Sequence, residues 1–139
     1  MRQTLFQTAF AALALLAATA ADAAPAGPEG RWLTASGNAI VDVAPCGAAL
    51  CGTIVKVLAN HPMGGGTTPM AANVPGVGVK VMTRFTSRGD GRWVGHLYNR
   101  QTGKTYDCEL TMAAPDQMKL RAYVLLPLIG QTQVWRRVD

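Results

Sequence analysis

Between Arg92 and Val124 apolar and polar residues alternate so regularly that two consecutive hairpins can be placed in register from the sequence alone. The connection Arg100-Gln101-Thr102-Gly103 sets Asn99 opposite Lys104, so Trp93, Gly95 and Leu97 face Leu110, Cys108 and Tyr106. The next connection, Ala113 to Gln117, sets Met112 opposite Met118, Leu110 beside Leu120 and Cys108 beside Ala122. One face then collects Trp93, Leu97, Tyr106, Leu110, Leu120 and Val124. The other collects Arg92, His96, Asp107, Glu109, Lys119 and Arg121. Successive side chains of a strand point to opposite faces, so this split demands an antiparallel sheet with one face buried. A slip of one residue would turn the charged set inward.

The same texture extends over the chain from Gly30. Eight segments read as strands: Trp32–Ala35, Ala39–Val43, Cys51–Leu58, Val79–Phe85, Arg92–Asn99, Lys104–Met112, Met118–Leu125 and Gln131–Val138. Gly, Pro, Asn and Asp clusters separate them, and no segment after residue 23 carries a helical period. Short strands at this spacing argue for a sandwich or a barrel. Gly30-Arg31-Trp32 at the start and Trp135-Arg136-Arg137 at the end favour the barrel. If the first and last strands pair, Arg137 covers the Trp32 indole, a contact worth about 0.5–2 kcal/mol. The expected fold is all-β, a small closed antiparallel barrel of about eight strands, in which Trp32 is structural.

Residues 1–23 read as a cleaved secretory signal, with Arg2 as the basic start, an apolar run from Leu5 to Ala18, and Ala21-Asp22-Ala23 at the cleavage point. The run is shorter than the roughly 20 residues that span a bilayer, so no transmembrane segment is expected in the mature chain. The protein is therefore expected in the periplasm or outside the cell. Residues 24–29 form a lead-in, and 30–139 suffice for a single domain, expected to be monomeric. The signal removes one Arg and one Asp, so the net charge of +5 passes to the mature chain. In an exported protein that balance points to an anionic envelope surface or an acidic ligand. The basic residues are spread out rather than clustered, which argues against nucleic acid.

Cys46 and Cys51 flank a tight Gly-Ala-Ala-Leu connection, and in an oxidising compartment they are expected to form a hairpin-closing disulfide. No second Cys or His pair completes a zinc site, and neither a metal nor another cofactor is expected. Cys108 then stands alone. The register puts it in one row with Gly95 and Ala122, which is either a pocket floor carrying a thiol or a surface closely packed against a large neighbour such as Trp135. His96 faces Asp107, the pairing that general-base chemistry uses, but strand alternation sends Cys108 to the other face. No catalytic residue is assigned. Ala59 to Gly78 breaks the strand pattern with five glycines and three prolines. A loop of this length is a lid, a binding loop or a tolerated insertion.

Several stretches, taken in order, resemble a bacterial family. They are Gly30-Arg31-Trp32, Val41-Asp42-Val43 leading to Pro45-Cys46-Gly47, Leu50-Cys51-Gly52, Trp93 to Asn99, Gly103-Lys104-Thr105-Tyr106, and Gly130 to Val138. The family is the exported domain of unknown function 2147, and the resemblance spans nearly the whole mature chain. It implies a calycin-like barrel akin to the lipocalins and brings no activity and no agreed site residues. The chain departs from the family pattern at Asn99-Arg100, where Asn-Pro is usual, and at Asn60-His61-Pro62, which leads into Gly64-Gly65-Gly66.

The expected role is to hold a small apolar or anionic amphipathic molecule inside the barrel, against Trp93, Leu97, Tyr106, Cys108, Leu120 and Trp135. Arg137 is available to an anionic headgroup or else only seals the barrel. Small barrels are either filled by their own side chains or hold one small ligand. A filled barrel makes the protein an interaction or envelope-structural module acting through its outer face or loop. A third reading, an enzyme built on the Cys108 thiol, requires that thiol to be reactive.

Overall fold

In the computed structural model the alternating segments become eight strands in chain order. They are β1 (Gly30–Leu33), β2 (Ala39–Cys46), β3 (Ala49–Val57), β4 (Lys80–Ser87), β5 (Arg92–Asn99), β6 (Lys104–Ala114), β7 (Gln117–Tyr123) and β8 (Gly130–Val138). Each pairs antiparallel with the next, and β8 pairs with β1 to close the barrel. The structure describes residues 27–66, 68–71, 73–124 and 130–138. The signal reading, its cleavage point and Leu125 lie outside them. No helix among the described residues is long and apolar enough to cross a membrane.

Both hairpins take the register the alternation dictates. Leu97 faces Tyr106, Gly95 faces Cys108 and Trp93 faces Leu110, while Met112 faces Met118 and Cys108 faces Ala122. Some strands run further toward their turns than residue type suggests, whereas β1, β3 and β7 stop one or two residues short of the expected Ala35, Leu58 and Leu125. β2 and β3 continue to Cys46 and Ala49, so the ladder brackets the Cys46–Cys51 disulfide. Pairing up to the turn satisfies backbone groups that a long loop would leave open. The expectation fails at Val124, which lies beyond the end of β7 and is exposed.

Inward side chains from all eight strands meet in one core. Trp32, Val41, Val43, Ile54, Val81, Met82, Phe85, Leu110, Met118, Leu120 and Trp135 are all buried, with Cys108 among them. Each large side chain so buried stabilises the fold by about 1.5–3 kcal/mol. β3 and β4 depart from strict alternation. Ile40 faces Lys56 and Val41 faces Ile54, which makes Val55 an extra residue. Thr53 and Gly52 face Lys80 and Met82, which makes Val81 another and buries two consecutive residues. A third irregularity sets Arg84 in the left-handed region at φ 56°. Such bulges increase twist and bend a strand, and here they curl β3 and β4 toward closure.

The up-and-down order gives the barrel two unlike ends. One carries the turns after β2, β4 and β6 together with the start of β1 and the end of β8. There Arg137 lies over Trp32, 4.3 Å from the ring centroid. Its Nε donates to the Pro115 carbonyl at 2.9 Å and its Nη2 to that of Gly27 at 2.8 Å, and Nη1 donates to Glu29. Trp32 Nε1 in turn donates to the Pro28 carbonyl at 2.8 Å. This end is sealed. The opposite end carries the turns after β1 and β5, the long connection from Leu58 to Val79, and the connection from β7 to β8.

Candidate functional site

The long connection at the second end is tied down by a buried asparagine. Asn38, in the turn between β1 and β2, accepts at Oδ1 from Thr34 Oγ1 at 2.6 Å, and its Nδ2 donates to the His61 carbonyl at 2.6 Å. Its own carbonyl accepts from the backbone of Leu58 and Ala59. Asn60 and Met70 hydrogen-bond to each other through backbone and side chain, and Met70 is buried. Farther along, Arg100 donates from Nη1 to the Pro75 carbonyl at 3.1 Å. The connection is thus a strap held across the barrel end, with Met63 packed against the core.

Under this strap lies a pocket of about 450 Å3. Pro62, Met63, Gly64 and Gly65 form its strap side. Leu97, Tyr98, Asn99, Gln101 and Tyr106 come from β5, β6 and their turn. Ala122, Tyr123, Val124, Gly130, Gln131 and Gln133 come from β7, β8 and the edges of their connection. All three tyrosines of the chain line the pocket, joined by four side-chain amides. None of the lining residues is a Lys, Arg, His, Asp or Glu. The surface is therefore uncharged and mixed, with aromatic and aliphatic walls set among hydrogen-bonding groups.

Alternation along β8 puts Gln131, Gln133 and Trp135 on one side. Trp135 is fully buried, and its indole Nε1 donates to Gln133 Oε1 at 2.9 Å. A buried indole N–H needs an acceptor, and this one fixes the amide. The Gln133 Nε2 end then lies against Gly64, where a Cβ would come within 2.9 Å of it. Glycine at 64 lets the strap approach the pocket wall.

Of the residues read from the sequence as ligand contacts, Leu97 and Tyr106 line the pocket. Cys108, Leu120 and Trp135 are completely buried in the core, and Trp93 is half-buried and packs against it. Arg137 sits at the sealed end. Cys46 and Cys51 are joined, and Trp32 is buried beneath Arg137. The pocket residues that the sequence did not single out are Tyr98, Asn99, Gln101, Tyr123, Gly130, Gln131 and Gln133, whereas the strap is the loop expected as a lid, a binding loop or a tolerated insertion. Gln131 and Gln133 had a legible signal, because they share the parity of the inward Trp135.

The row Gly95, Cys108 and Ala122 is divided. Phe85 lies on Gly95, where an added Cβ would come within 2.7 Å of both the ring and the Thr83 carbonyl, and Ala122 reaches the pocket. Burial, with the nearby Glu109 carboxylate as a smaller cause, pushes the Cys108 thiol up to about 12. His96 Nδ1 stands 3.3 Å from Asp107 Oδ1 on the outer face, with both side chains substantially exposed. Among the described residues no three His, Cys, Asp or Glu side chains come together as metal ligands would.

The structure is similar to that of protein HP1028 from the human pathogen Helicobacter pylori, described as belonging to the lipocalin family. The match has a TM-score of 0.53 at 14% identity and covers 73% of each chain, so it speaks to the fold alone. No curated protein matches the sequence. Residues 30–137 match the model of an uncharacterized protein family conserved in bacteria, DUF2147, over the whole barrel from β1 to the last residues of β8. The chain belongs to the DUF2147 family.

Proposed function

We propose that this protein is an exported binder that holds one small, uncharged amphipathic molecule in the pocket beneath the strap. The observation that carries the reading is the lining itself, with three tyrosines and four amides around Leu97 and Met63 and no charged side chain. Its volume falls within the roughly 300–1,000 Å3 typical of small-ligand sites. An anionic headgroup is disfavoured, because Arg137 lies at the far end and no cation among the described residues lines the cavity. The filled core confines any ligand to the strap end, which argues for a compact molecule. Binding rather than catalysis is favoured because the Cys108 thiol is buried and held protonated. Export is supported by the N-terminal sequence and by a disulfide of the kind that persists in oxidising compartments.

The test is titration with the uncharged fluorescent probe N-phenylnaphthylamine, with a fatty alcohol and the matching fatty acid as competitors. Saturable binding at one site per chain is expected, with the alcohol displacing the probe better than the acid. Ala122→Leu, which projects into the cavity, is expected to abolish binding while the circular dichroism spectrum is retained. Absence of saturable binding, or an unaffected Ala122→Leu variant, would overturn the reading. The filled core would then favour an interaction module acting through its surface.

A further inference from the structure

The charges of this barrel are divided between its ends in a way that the pocket does not require. The segments that build the strap end, residues 33–40, 55–80, 98–105 and 122–131, contain no Asp or Glu. They do contain Lys56, Lys80, Arg100 and Lys104. Arg100 is buried beneath Pro75, which leaves three exposed lysines. Among the described residues none of the three makes an ion pair. The sealed end is mixed instead. There Glu29, Asp90 and Asp116 stand among arginines, and Arg92 is paired to Asp90 at 2.8 Å.

The strap end also carries most of the exposed large apolar side chains. Val57 is 40% exposed, Leu58 47%, Val77 68% and Val124 56%. They project from three different strand connections or strand ends around the pocket. Single exposed apolar side chains are ordinary on a folded surface, but here four of them share one end with three exposed lysines and no carboxylate. We propose that this end docks on an anionic lipid bilayer, with the pocket opening toward the membrane.

Two physical arguments select a bilayer as the occupant. A second copy docking end to end would set lysine against lysine across a two-fold axis, and like charges there repel. An anionic lipid surface supplies the missing negative charge while headgroup water keeps the lysines solvated, and attracts each by about 1 kcal/mol. Separate apolar side chains on loop edges suit shallow entry into the headgroup boundary, where buried apolar area adds to electrostatic attraction. The inference goes beyond the small-ligand reading and stands without it, since docking needs only the outer rim.

The experiment is co-sedimentation of the purified protein, as processed by cells expressing the full chain, with two kinds of vesicle. One is pure phosphatidylcholine and the other an equimolar mixture with phosphatidylglycerol. Binding to the mixed vesicles alone is expected, weakening as salt screens the surface. Each of Lys56→Gln, Lys80→Gln and Lys104→Gln is expected to weaken it about fivefold. Val77→Glu, at a site 68% exposed and outside the core, is expected to weaken it further. Arg88→Gln and Lys119→Gln, away from this end, are expected to leave it unchanged. Ala122→Leu should sediment as the parent does, so failure of docking is distinguishable from failure of the pocket. Equal binding to both vesicles, no binding at low salt, or equal losses from the control substitutions overturns the proposal. So does a concentration-dependent dimer that the same lysine substitutions dissociate.

Discussion

Gly95 shows how a single missing methyl group positions an aromatic ring. Phe85 rests on it at a distance that no Cβ tolerates, and the Thr83 carbonyl is equally near. Because the Thr83 contact is backbone, rotation of the Phe85 ring alone cannot relieve the clash. Gly95→Ala is expected to destabilise the barrel by about 1–3 kcal/mol or more, read as a lower urea midpoint with an unchanged slope. The adjacent Cys108 tests the other half of the row. Its thiol is raised from 9.0 to about 12, so the folded chain holds that proton more tightly than the unfolded chain. The resulting stability is complete below the unfolded value and is lost as pH rises through the folded one. Unfolding free energy is therefore expected to fall between pH 9.0 and about 12, by on the order of 4 kcal/mol at most, and the fall is expected to be shallower in Cys108→Ala. Slow alkylation of the native protein at mild pH checks the same burial. The register exposed this row of small residues, since β5, β6 and β7 alternate cleanly. It could not reveal Phe85 as the ring that covers Gly95, because two bulges shift its strand relative to the sequence pattern.

The strap from Leu58 to Val79 depends on two side chains with different roles. Asn38 is fully buried and links Thr34 to His61, so Asn38→Ala leaves buried polar partners unmade. A loss of about 1–3 kcal/mol of stability is expected, together with faster proteolysis near His61. Arg100 holds the other end of the strap through Pro75, and desolvation lowers its pKa from the usual arginine value. Among the described residues no carboxylate pairs with it, and its Nη2 has no partner. Removing such a cation relieves a desolvation cost while releasing the loop. Arg100→Ala is therefore expected to leave the urea midpoint unchanged or raised, while cleavage between Asn73 and Val79 becomes faster in limited proteolysis. The sequence marked the strap by its glycines and prolines and by its departure from the strand pattern. Its anchors were not legible. Asn38 and His61 are 23 residues apart, as Arg100 and Pro75 are 25, and no local pattern encodes contacts across such separations.

On the scale of the whole barrel, the Arg137 closure and the pocket proposed to bind lie at opposite ends. Closure was legible because Gly30-Arg31-Trp32 and Trp135-Arg136-Arg137 bracket the chain, and Trp32 does face Arg137 across β1 and β8. The sequence could not say which end stays open. That depends on the strap folding over one mouth and on Gln131 and Gln133 turning inward beside Trp135, whereas the aromatic residues that looked like a ligand surface mostly fill the core. Arg137 tests the division directly. Its guanidinium stacks on Trp32 and donates to three carbonyls from the lead-in and the turn after β6, so it closes the sealed end. Loss of the cation–π contact costs about 0.5–2 kcal/mol, and the orphaned carbonyls add to that unless water reaches them. Arg137→Ala is therefore expected to lower unfolding free energy by about 2–4 kcal/mol in urea. N-phenylnaphthylamine should bind this variant with the same Kd as the parent under conditions where both are folded, because the pocket lies at the other mouth. Arg137→Lys should recover little of the stability, since an ammonium cannot both cover the indole and reach three carbonyls. A substantially weaker Kd in folded Arg137→Ala would place the ligand within reach of the sealed end and against the strap. An unchanged Kd beside the lost stability leaves the strap end as the binding end, with the sealed end serving closure.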